Sequence, residues 1–178
     1  MSSFYKMKQT SITVNYKTSP EISVGGSAFA EYHQLKDIDE DPTSLLLTDT
    51  TYGSQGGLYS GLGINSTFDT RNNIDWPRQG QLASANWDFF TSALGSELDF
   101  SIASIKLAQY LSVSDNVIGL SASVSAASEQ TPFTHLPKPT GDRTLRGANG
   151  NRWVDYRSVG LQGEYRHQLS QRWATVAF

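Results

Sequence analysis

Apolar residues recur at every second position along most of the chain, and no stretch carries a helical stripe. Ile12, Val14 and Tyr16 alternate with Ser11, Thr13 and Asn15, predicting a strand over Thr10 to Lys17. A second, Glu21 to His33, sets Ile22, Val24, Ala28, Ala30 and Tyr32 on one side. The third, Gly57 to Arg71, opposes Leu58, Leu62, Ile64 and Phe68 to Tyr59, Asn65, Thr67, Asp69 and Arg71. Ala83, Ala85, Trp87 and Phe89 share a face of a fourth, Gln81 to Phe90. The fifth, Ser96 to Ser114, changes phase between Ile102 and Ile105, which predicts a bulge. Val117 to Ala127 and Tyr156 to Leu169 follow, and an eighth opens at Arg172.

Two long polar connections separate these runs, residues 34–55 and 128–155, while the other turns are shorter. Strands this long reach or exceed the roughly 9–11 residues of a tilted bilayer crossing. Their polar faces are Ser, Gly, Asn, Gln and Thr with sparse charge, unlike the Lys/Glu-rich face of a soluble sheet. Long strands, one continuously apolar face and alternating short and long connections predict an all-β, antiparallel transmembrane barrel. A soluble β-sandwich also alternates, but it has shorter strands as a rule. The apolar set Leu58, Leu62, Ile64, Phe68, Ala83, Trp87, Ile118, Leu120, Val159, Leu161 and Tyr165 is expected to face lipid.

Composition narrows the reading. Charged residues are 17% of the 178, against roughly 25% in soluble domains, and aromatics are 11%. Low mean hydropathy does not oppose a barrel, whose strands need only alternate residues apolar. No apolar run approaches the roughly 18 residues of a membrane helix. A net charge of -3 without a basic tract argues against nucleic acid. There is no cysteine. The first residues lack the apolar core of a secretory signal, and the last residues stop inside an alternating run. We therefore expect an incomplete part of a larger barrel. Tyr32, Trp76, Trp87, Phe89, Phe90, Trp153, Tyr156 and Trp173 fall near strand ends and suit interfacial girdles.

Candidate chemistry is thin. Asp37, Asp39 and Asp41 alternate as in a calcium loop, but Pro42 and Thr48 stand where such a loop needs Gly and Glu. His33, His135 and His167 are scattered without metal-ligand spacing. No nucleophile elbow or phosphate-cradling glycine loop occurs, so neither an enzyme nor a cofactor or metal is expected. Asp69 and Arg71 are two apart, as are Glu164 and Arg166, so each pair shares a strand face. An arginine toward mid-bilayer lipid costs roughly 2–4 kcal/mol, which directs these charges inward, where they are expected to solvate the lumen and pair across strands.

Two stretches resemble the BamA/TamA (bacterial surface antigen) superfamily. From Gly61 to Phe89, an Asp-x-Arg strand end (Asp69, Arg71) is followed by a Pro-x-x-Gly turn (Pro77, Gly80) into a new strand. From Asp142 to Phe178, a long loop carries Arg146 and Gly147, then a strand with Glu164-x-Arg166. The first 55 residues match only in strand pattern. Ala148 departs from the aromatic that usually follows Arg-Gly in this family. The resemblance implies part of a sixteen-stranded barrel in the outer membrane of a Gram-negative bacterium. It also implies a role in inserting proteins into that membrane or moving them across it, with lipid and client proteins as partners. It implies further that the Arg146 loop folds into the lumen, where its family partner is an Asp that would lie just past Phe178. Within this chain Glu164 is the carboxylate expected to stand in. A passive pore or anchoring barrel, or a soluble barrel for an apolar ligand, remain as alternatives.

Overall fold

A strand leaves its backbone groups to be paired by its neighbours, and in lipid nothing else can pair them. In the computed structural model, which describes residues 4–36, 51–138, 154–170 and 172–178, the chain meets that demand as one meander. The strands are β1 (Phe4–Lys17), β2 (Ile22–Lys36), β3 (Gly57–Asp69), β4 (Gly80–Phe90), β5 (Phe100–Val113), β6 (Asn116–Ala127), β7 (Arg157–Gln168) and β8 (Ala174–Ala177). Each pairs antiparallel with the next, giving the order β1-β2-β3-β4-β5-β6-β7-β8. The sheet is open, with β1 and β8 at its edges.

Several sequence expectations need correction. β1 begins at Phe4 and not Thr10, and β5 at Phe100 and not Ser96. β2 continues to Lys36, so residues 34–36 belong to the strand and not to the 34–55 connection. β3 ends at Asp69, which puts Arg71 in the following turn. β5 has no bulge. Its pairing is unbroken from Gly80↔Tyr110 to Phe90↔Phe100 on one side and from Ile102↔Ala127 to Val113↔Asn116 on the other. The apparent change of phase arises because Ile102 is an apolar residue on the otherwise polar face, packed beside Phe90 and Phe100.

With the register continuous, directly opposite residues share a face. Phe68 meets Ala83, Ala83 meets Leu107, Leu107 meets Ala122, and Ala122 meets Leu161. This face is apolar and open: Leu161 is 73% exposed, Val159 67% and Ile64 55%. The expected lipid-facing side chains therefore do not converge on a shared core. The buried residues lie on the opposite, polar face, called inner below, and the largest group is Tyr59, Phe90 and Phe100. A soluble sheet would bury the first face. Two aromatics assigned to a girdle lie elsewhere: Phe90 belongs to the inner cluster, and Trp76 stacks over Arg166. Trp153 lies outside the described residues.

The connections sort by rim. Residues 18–21, 70–79, 114–115 and 169–173 join strands at one end, and 37–56, 91–99 and 128–156 at the other. At this second rim, residues 91–99 form a compact turn. Thr91 caps a single 3-10 turn over Ser92–Leu94, and Asp99 accepts from the Ser92 amide at 2.6 Å.

Two predictions follow from this sheet. Leu107→Arg, at mid-strand on the apolar face, should lower unfolding stability in phospholipid vesicles by about 2–4 kcal/mol, and Ile22→Arg near the turn rim by about 0–1 kcal/mol. Equal costs at both depths would mean that face does not span a bilayer. The second concerns Asp99, whose carboxyl is held below the usual carboxylate range by the Ser92 amide. Its contribution is complete above the unfolded value, about 4, and is lost as pH falls through the lower folded value. Ser92 amide exchange, normalised for the intrinsic rate, should accelerate in that acid window and already be fast in Asp99→Asn.

Candidate functional site

The inner face carries two polar centres, one toward each rim. The turn-rim centre starts from Asn72 and Asn73, whose side-chain carbonyls replace missing backbone partners in residues 70–79. Asn73 Oδ1 accepts from the Asp75 and Trp76 amides, both at 2.8 Å, and Asn72 Oδ1 from those of Arg78 and Gln79. Arg78 reaches the Asp115 carbonyl at 3.0 Å, and Ser112 Oγ donates to the Arg78 carbonyl at 2.9 Å. The turn so braced brings Trp76 and Pro77 to Arg166.

Arg166 is 7% exposed. It donates to the Pro77 carbonyl at 2.8 Å and pairs with Glu164, and its guanidinium carbon lies 4.2 Å from the Trp76 ring centre. A planar, weakly hydrated cation suits this stacked, forked position, where an ammonium would not. Gly119 faces the pair, and a Cβ there would fall 2.7 Å from Glu164 Cγ. Small inner residues on β6 are thus needed to seat the glutamate. Arg71 likewise turns to its own neighbour and not across strands as expected: it grips Asp69 through two guanidinium nitrogens, at 2.8 and 2.9 Å. A cavity of about 220 Å³ lies between these groups, bordered also by Lys106, Ser121 and Gln162.

The loop-rim centre gave no sequence signal. Phe90 and Phe100 stack with centroids 4.4 Å apart, and Tyr59, 1% exposed, sets its edge against Phe100. Onto them folds the segment after β6. The Ser101 amide donates to Ser128 Oγ and the Phe133 amide to the Tyr52 carbonyl, both at 3.0 Å. Thr131 and Pro132 are buried. Pro132 packs on Gly53, where a Cβ would come within 2.7 Å and φ is +80°. His135 then stands edge-on to Tyr59, Phe90 and Phe100. Its Nε2 meets Glu31 Oε2 at 2.9 Å, and His33 Nε2 meets the same oxygen at 3.0 Å. The histidines that look scattered in sequence are therefore in part together. His167 stays apart, bonded to Asn116.

Arg146 and Gly147 lie outside the described residues, as do Asp37, Asp39 and Asp41. Glu164, the carboxylate expected to receive Arg146, pairs with Arg166.

With one apolar face and one polar, partly covered face in place, the comparison with known families is decisive. A model described as the Omp85 superfamily domain matches residues 1–147, well over half of the chain. The chain belongs to the Omp85 superfamily. Among curated proteins none matches it. The Omp85 match takes in β1 and β2, where no motif is visible, and stops at Gly147, before β7. The Omp85 superfamily is one of outer-membrane proteins for protein insertion or translocation.

Arg166→Ala should cost about 3–5 kcal/mol, because it strands Glu164 in a covered site. Arg166→Lys should recover only part, and Glu164→Gln with Arg166→Met most of the loss. Guanidinium unfolding of the membrane-inserted protein measures this. A cost below about 1 kcal/mol for the alanine variant would mark a solvated surface pair instead.

Proposed function

We propose that this sheet is part of the wall of a larger transmembrane barrel, sixteen-stranded as in the BamA/TamA relatives it resembles. That barrel assists insertion of proteins into the outer membrane, or their passage across it, without ATP or cofactor. The observation that carries the reading is the one-sided sheet: a predominantly apolar face left open, backed by an inner wall of small polar residues and paired charges. Such a wall binds outer-membrane lipid on one side and offers a hydrated, sparsely charged surface to a passing chain on the other. Work on a client protein is then mechanical, done by a weakly paired seam and a locally thinned bilayer. The path of residues 128–136 across the inner wall supports an inward course for Arg146 and Gly147, with both 34–55 and 128–155 on the extracellular side.

The full-length protein, reconstituted in vesicles, should speed the folding of a urea-denatured small outer-membrane barrel relative to empty vesicles, and Leu107→Arg should abolish the gain. Client folding no faster than in empty vesicles, accompanied by steady ion conductance, would sink this reading in favour of a passive pore or anchor.

A further inference from the structure

Glu31, His33 and His135 are placed as metal ligands are placed. Both imidazole Nε2 atoms converge on Glu31 Oε2, at 3.0 and 2.9 Å, and one ligand atom from each residue falls within 4.8 Å of the others. Ligands in a tetrahedron about an ion at roughly 2.0–2.2 Å stand about 3.3–3.6 Å apart, so both contacts to Glu31 Oε2 need to lengthen by only a few tenths of an ångström to admit one. We propose that these three side chains form a site for a divalent first-row transition metal of the zinc class. The ion fastens residues 128–136 to the inner wall.

The surroundings prepare each ligand. Gln9 Nε2 donates to Glu31 Oε1 at 2.9 Å, which holds the carboxylate and leaves Oε2 for the imidazoles. Thr134 Oγ1 lies 3.0 Å from His135 Nδ1. With a metal on Nε2 the proton resides on Nδ1, and a hydroxyl can accept it, the outer contact that ligating histidines generally make. Glu31 and His33 are fixed by β2, while Tyr59, Phe90 and Phe100 hold the His135 ring edge-on. All three are largely removed from water, Glu31 at 6% and His33 at 3% exposure. Two imidazoles and one carboxylate suit zinc, cobalt, nickel or copper; calcium and magnesium require mostly oxygen. Water completes the fourth position. The site stands whether the barrel inserts proteins, translocates them or only conducts ions.

Cobalt(II) is the probe, titrated into the intact membrane-embedded protein, with folding checked by heat-modifiable mobility on gels. The expected result is one saturable site with the visible absorption of four-coordinate cobalt, displaced by zinc. Affinity should fall about 10–100-fold or more in His135→Ala and in Glu31→Gln, and stay unchanged in His167→Ala. His135→Cys should restore binding and add a thiolate-to-cobalt charge-transfer band. Zinc should protect residues 128–136 from protease in the wild type and not in His135→Ala. Absence of saturable binding by the folded wild type overturns the site. So does binding that is the same in His135→Ala and Glu31→Gln; the trio is then a hydrogen-bonded cluster only.

Discussion

A strand has two faces and no third, and in this sheet every pairing from β1 to β8 keeps them in step. That constraint sorts everything else. The backbone satisfies itself strand to strand, so one face is free to be apolar for hydrocarbon while the other gathers whatever is polar, charged or needed to seat a connection. Had one pair slipped by a single residue, Leu161 and Glu164 would have exchanged sides, and so would all their neighbours.

The inner wall shows how a membrane sheet disposes of charge. Arg71 and Arg166 each meet a carboxylate two residues earlier in the chain, so partner and orientation come from local geometry alone. What differs is the cover. Asp69 with Arg71 lies partly open, whereas Trp76 and Pro77 roof the Arg166 pair. At the opposite rim the same task of covering falls to aromatic rings, and there the wall anchors a connection instead of a turn.

These differences decide what can be read from sequence. Alternation exposes the lipid face because it is a property of neighbours in the chain. The inward side of Asp69, Glu164 and Arg166 is legible for the same reason, but not that each arginine closes on the carboxylate two residues before it. Phe90 and Ile102 mislead because they are apolar residues that serve the inner wall, which periodicity alone reads as a girdle residue and as a bulge. His33 and His135 meet only through the β2–β3 register and the fold of residues 128–136, and Trp76 reaches Arg166 only through the bracing of a distant turn. Contacts of this kind leave no local trace.

The uninterrupted ladder of β5 has a mechanical consequence. Without a bulge there is no position at which one strand can creep past another by a single residue and keep its faces. The smallest slide that preserves them is two residues, roughly 6.6–6.8 Å, with every cross-strand bond between the pair broken at once. Shear in single-residue steps is therefore closed to this strand and its neighbours. Hinging about the lines between strands is the cheaper deformation, because the angle between neighbours can widen while each residue keeps its partner.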